Sequence, residues 1–165
     1  VFNMSFLHTL LPHFCRDHPH ICADAISFVF GASTHQNLTR FPFYKEYEPT
    51  LTSTLNMAHF SQEVRSGDFA AFDWGSAAAN REHYGTDTPP QYDLSQVHQR
   101  LALYSGGKDL LADPTDVRRL IASLPQPPVE HLFLPTYAHE DFVMADDAAS
   151  LLYPSVLAQI TALLG

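Results

Sequence analysis

The sequence predicts an α/β fold, and its second half carries the prediction. Two short apolar runs, VHQRLALYSGG (97–107) and VEHLFLP (129–135), are each followed by a stretch with helical spacing. Strand–helix–strand–helix is the order of a parallel sheet covered by helices. Residues 96–165 have room for only two such units, so they read as the last β–α units of a larger, mostly parallel sheet. Residues 1–95 form a separate, mainly helical region. The segment DTPPQYD (87–93) breaks the chain just before the change of pattern.

The elements follow in chain order. FLHTLLPHF (6–14) and ICADAISFVFG (21–31) read as helices or short buried segments. STLNMAHFSQEVRSG (53–67) reads as a helix with Leu55, His59 and Gln62 on one side and Ala58, Ser61 and Arg65 on another. Gly67 is positioned to stop it. The first strand ends in the double glycine Gly106-Gly107. PTDVRRLIASL (114–124) is a helix, because Val117, Leu120, Ile121 and Leu124 recur at i, i+3, i+4 and i+7. DDAASLLYPSVLAQITALLG (146–165) is a closing helix, bent or restarted at Pro154.

Composition excludes several classes of function. The chain has 9 basic against 18 acidic residues, a formal charge of −9. A surface of that sign does not suit nucleic acid, whose phosphates need a basic partner. No run of about 18 apolar residues is present, so no transmembrane helix is expected. The ten histidines would charge in an acidic lumen and offset much of the negative excess. The chain begins at Val1, without an initiator Met or a signal peptide, and reads as processed or partial.

Cys15 and Cys22 are the only cysteines, and the loop CRDHPHIC is short enough to close as a local disulfide. A pair of buried thiols is the alternative. Sequons at Asn3 (Asn-Met-Ser) and Asn37 (Asn-Leu-Thr) mark candidate glycosylation sites. Together these signals favour the secretory pathway. A zinc site built on His18, His20 and Cys22 lacks a second ligand pair at finger spacing, so no metal is expected.

The stretch YSGGKDLLADPTD (104–116) contains three aspartates. Asp113 precedes Pro114 and is the helix N-cap. Asp116 lies in the first turn, where a negative charge meets the helix dipole. Asp109 has no helix to cap. It follows the strand end, the edge of an open α/β sheet where ligands bind. A solvated turn aspartate is the plain alternative. His139, in TYAHEDF, lies thirty positions on and just past the next strand. Neighbouring strand ends converge on one sheet edge, so the carboxylate can hold the imidazole. That is the Asp–His half of a nucleophilic triad in the order Ser…Asp…His.

The motifs FDWGSAAANREHYG (72–85), YSGGKDLLADPTDV (104–117) and PTYAHEDFVMADDA (135–148) resemble the acid lipases, the gastric, lingual and lysosomal enzymes and their relatives. TSTLNMAHFSQEV (52–64) resembles them more weakly. The resemblance covers most of the chain and corresponds to the C-terminal part of those enzymes. It implies the C-terminal part of an α/β-hydrolase fold, with a cap (lid) region over 1–95 and part of the catalytic core over 96–165. It implies that Asp109 and His139 are the catalytic pair of a lipid-ester hydrolase that needs no cofactor. It implies a secreted or lysosomal location and long-chain ester substrates such as triacylglycerol or cholesteryl ester. Peripheral contact with a lipid interface fits that reading. Cys15, Cys22 and Asn37 also resemble family features, although the cysteine spacing is shorter here. Pro154 and some loop lengths depart from the family pattern.

A nucleophile elbow, G-x-S-x-G, is missing from the chain. In FVFGASTHQN, Ser33 follows Gly31 but His35 stands where the second glycine belongs, and a bulky residue obstructs that strained turn. Ser76 in WGSAA lacks both flanking glycines, and its context reads as structural, with Trp74 packing the cap onto the core. His59 and His83 read as core or cap histidines that could line an acyl pocket. The expected nucleophile therefore belongs to an N-terminal chain or segment of the same hydrolase. The competing reading is a non-catalytic lipid-binding, storage or structural subunit.

Overall fold

The computed structural model describes residues 13–47 and 52–164. Asn3 and most of the helix expected over 6–14 lie outside the described residues. The first half is helical, with α1 Pro19–Phe30, α2 Phe41–Tyr47, α3 Thr54–Ser66 and α4 Ala77–Tyr84. The second half alternates: β1 Ala102–Gly106, α5 Pro114–Ser123, β2 Glu130–Leu134, then the short α6 Asp141–Met144 and α7 Ala148–Leu151, and finally α8 Tyr153–Leu164.

Local chemistry accounts for the helix ends. Ser53 caps α3 by accepting from the Asn56 N–H, and Gly67 ends it in the left-handed region at φ 71°. Asp113 caps α5 through the Thr115 N–H, with Pro114 in the first turn. That bond and the one from the Thr115 side chain hold the Asp113 carboxyl below its ordinary pKa. Val117, Leu120, Ile121 and Leu124 are the half-buried side of α5, as the periodicity requires. The closing helix restarts at Tyr153, one residue before Pro154, because proline fits a first turn and no interior.

The two strands pair in parallel, with Ala102 opposite Glu130 and Gly106 opposite Leu134. The first strand is shorter than the sequence suggests. Residues 97–101 are not part of the strand, although the Val129 N–H donates to the Leu101 carbonyl at 2.8 Å. Among the described residues the sheet has only these two strands. This is mixed helix with a small parallel sheet, the form of a partial α/β unit.

Burial is concentrated in two places. Cys15, Cys22 and Phe41 form one core, flanked by Ala23, Ile26 and Leu38. Tyr137, Ala138, Asp141, Ala148 and Leu152 are buried beyond β2. Elsewhere large apolar side chains face outward: Phe28 is 86% exposed, Val64 79% and Val143 78%. In β2 the same holds for Phe133, at 45%.

Candidate functional site

The double glycine creates the site by close approach. Neither Gly106 nor Gly107 has a positive φ, so neither is needed for a left-handed turn. A Cβ on Gly106 would stand 2.3 Å from the Tyr137 carbonyl oxygen, and one on Gly107 2.4 Å from that of Pro135. The 135–139 segment can therefore lie directly on the end of β1. The Gly107 N–H donates to the Leu134 carbonyl and the Lys108 N–H to that of Tyr137, both at 2.9 Å.

This brings Asp109 and His139 together. His139 Nδ1 lies 3.0 Å from Asp109 Oδ2 and 3.2 Å from Oδ1. Asp109 is 3% exposed, whereas the His139 side chain is 42% exposed. A carboxylate accepts, so Nδ1 carries the proton and Nε2, on the far side of the ring, keeps its lone pair. Phe30 stacks on the imidazole with ring centroids 5.9 Å apart, and its carbonyl accepts from the His139 N–H.

Asp109 caps no helix, but its Oδ1 also accepts from the N–H groups of Leu111 and Ala112 in its own turn, each at 2.8 Å. The carboxylate caps its own turn and meets the imidazole at the same time. A carboxylate has enough lone pairs for both.

The other singled-out residues have structural surroundings. Cys15 and Cys22 are joined in a disulfide, which removes Cys22 as a thiolate ligand and with it the zinc reading. Among the described residues, no group of three or more His, Cys, Asp or Glu is placed to hold a metal. Ser76 caps α4 by accepting from the Ala79 N–H. Ser33 donates to Asp141 and accepts from the His35 N–H. Trp74 has its ring and hydrogen-bond partners close by in sequence. Its ring stacks on His83 at 3.8 Å, meets Phe72 edge-on and donates to the Tyr84 hydroxyl, all within residues 72–84. His59 bonds the Ala70 carbonyl through Nε2. Asn37 folds its side chain onto the Thr39 N–H and hydroxyl.

Sequence reasoning missed the contact between the 30–36 segment and the His139 loop. A Cβ on Gly31 would fall 1.8 Å from the Lys108 carbonyl oxygen, and φ there is 98°, so only glycine fits. His35 bonds Asp147 through Nδ1 and Thr136 through Nε2. The Tyr137 hydroxyl donates to the same Asp147. Burial opposes ionisation of Asp147, but the bonds from Tyr137 and His35 outweigh it and hold its carboxyl below the ordinary range. Burial first, then the neighbouring Asp147, pushes the Tyr137 phenol up. A cleft of about 400 Å³ opens beside this contact, with Ile26, Phe30, Leu38, Ala138 and Glu140 on its walls.

Over most of its length the chain is similar to curated lipases. It is 39% identical over 142 residues to the gastric triacylglycerol lipase of Homo sapiens, covering 86% of this chain and 35% of that enzyme. Lipase member N of Homo sapiens is 37% identical over 145 residues, covering 86% of the chain and 36% of the relative. Lipase member K of Homo sapiens is 33% identical over 138 residues, covering 83% and 34%. The chain thus spans about a third of the length of the curated relatives it matches. No family model matches it.

Proposed function

From the premise that this chain is a relative of the gastric triacylglycerol lipases, we propose that it is the C-terminal portion of a serine hydrolase of lipid esters. Residues 1–95 are then the cap region and 96–165 the end of an α/β-hydrolase core. Asp109 and His139 are the acid and base of its triad. The observation that carries this reading is the 3.0 Å contact between His139 Nδ1 and a buried Asp109 at the adjoining ends of two parallel strands.

The chemistry runs through His139 Nε2. It takes the proton of a serine hydroxyl as that oxygen adds to the ester carbonyl. The imidazolium, held by Asp109, then gives the proton to the departing alcohol oxygen as the C–O bond breaks. Water repeats the sequence on the acyl-enzyme and releases the fatty acid. On this reading the nucleophile and the oxyanion donors lie in a segment outside these 165 residues, which the lack of a G-x-S-x-G motif and the structural contacts of Ser33 and Ser76 support. No cofactor enters the reaction.

A fluorophosphonate probe tests this assignment on the protein as isolated from its source. The label should attach to a serine in an accompanying or connected segment containing G-x-S-x-G, with loss of esterase activity. Labelling at Ser33 would instead make Ser33 the nucleophile and defeat the proposal that the serine lies elsewhere; no labelling with no ester cleaved would leave a non-catalytic lipid-binding subunit as the better reading.

A secreted or lysosomal location fits the Cys15–Cys22 disulfide. Asn37, half-buried beside an exposed Thr39, is the described residue offered for a glycan. Peptide mass mapping before and after glycosidase treatment should find the Asn37 peptide converted to aspartate. An unmodified Asn37 together with free thiols would speak for the cytosol.

A further inference from the structure

We infer that Asp141, gripped by Ser33 and Gln36, is a positioning residue that sets His139 against Asp109. The inference rests on the catalytic reading of His139 given above. Asp141 is fully buried. Its Oδ1 accepts from the Ser33 hydroxyl at 2.5 Å and from Gln36 Nε2 at 3.2 Å, and its Oδ2 from the Ala138 N–H at 2.7 Å. The next N–H, that of His139, donates to the Phe30 carbonyl at 3.1 Å. Two consecutive peptide groups of the histidine loop are thus fixed, one by a buried carboxylate and one by the cap segment.

The grip is continuous with the rest of the junction. His35 and Tyr137 share Asp147, at 2.8 and 2.7 Å. Gln36 forms an isolated bridge with Ala145, and the Asp146 N–H donates to the His35 carbonyl at 2.9 Å. Residues 30–36 therefore clasp the 136–147 loop on both sides of His139. Among the described residues the imidazole itself receives only the Asp109 contact and the Phe30 ring, so its direction depends on where its backbone is held. Ser33, which imitates a nucleophile in sequence, serves this clasp. Its hydroxyl has its proton on Asp141 and a lone pair on the His35 N–H.

The test is made on the protein as isolated, with the segment that accompanies these residues, and has two readouts. In histidine-labelled protein, the His139 Nδ1–H should give a downfield, slowly exchanging proton resonance that Asp109→Asn removes. Asp141→Ala and Ser33→Ala should broaden that resonance or move it upfield while the amide spectrum remains that of a folded chain. Asp141→Asn, which keeps an acceptor for the Ala138 N–H, should largely preserve it. For a short soluble ester, Asp141→Ala should lower kcat about tenfold or more and leave KM within about twofold, with Asn restoring most of the rate. If Asp141→Ala does not fold, Ser33→Ala and Gln36→Ala decide. An unchanged resonance in the folded variants would overturn the inference, as would an Asn variant no better than Ala. A protein that cleaves no ester would defeat the catalytic reading alone, because the resonance still reports the clasp.

Discussion

Asp109→Asn in the complete protein is expected to lower kcat for a lipid ester by about 10³- to 10⁴-fold, and His139→Ala by at least as much. The reason is the division of work on the ring. Asp109 faces Nδ1 at 3.0 Å and so keeps the proton there and Nε2 available as base. An asparagine can present its amide to Nδ1, which favours the other tautomer and places the proton where the serine must deliver its own. KM should change little, because neither group is asked to bind the acyl chain. The stability of Asp109→Asn should fall modestly, since the side-chain oxygen can still accept from the Leu111 and Ala112 N–H groups. A rate for Asp109→Asn within about tenfold of wild type would remove Asp109 from the triad. Kinetics on a soluble ester, with melting curves for each variant, reads both quantities.

Residues 1–165 produced alone should be insoluble, or soluble without cooperative unfolding, and should cleave no ester. Two parallel strands do not make an independently stable sheet. The outward side chains Phe28, Phe60, Val64, Phe133, Val143 and Leu157 are each more than 40% exposed. Covering a side chain of this kind is worth about 1.5–3 kcal/mol, so leaving several uncovered is comparable to the whole stability of a domain. Adding the segment that carries the serine should restore solubility, a sigmoidal melt and activity together. The interface should exceed the roughly 1,600 Å² of a standard complex and be apolar. A monomeric 165-residue product with a sharp calorimetric transition would defeat the proposal that another segment completes the fold.

Several features were legible in the chain because they depend on neighbours in sequence. Helix caps are of this kind: Ser53, Asp113 and Gly67 act within three or four residues of where they stand. The half-buried side of α5 follows from a repeat of 3.6, and the restart of the last helix from the missing N–H of Pro154. The meeting of Asp109 with His139 was also legible, since each lies a few residues past one of two paired strands. Parallel strands connected through a helix end on the same edge.

Other features came only with the tertiary structure. The double glycine ends the strand in a turn, and it also lets the Pro135 and Tyr137 carbonyls pass within reach of the strand end, a contact about thirty residues away. Trp74 stacks on His83 nine positions on, a pairing that its residue type alone does not give. Ser33, Asp141 and their clasp had no signal in sequence. A serine after a glycine and an aspartate two places past a histidine are common, and their pairing spans 108 positions. Which donors a buried carboxylate meets is set by how two loops pack. The sequence by itself determined the local caps, the α/β order and the meeting of Asp109 with His139 at the strand ends. Only the tertiary structure decided what holds the histidine in place, because that depends on side chains that become neighbours when residues 30–36 close on the 136–147 loop.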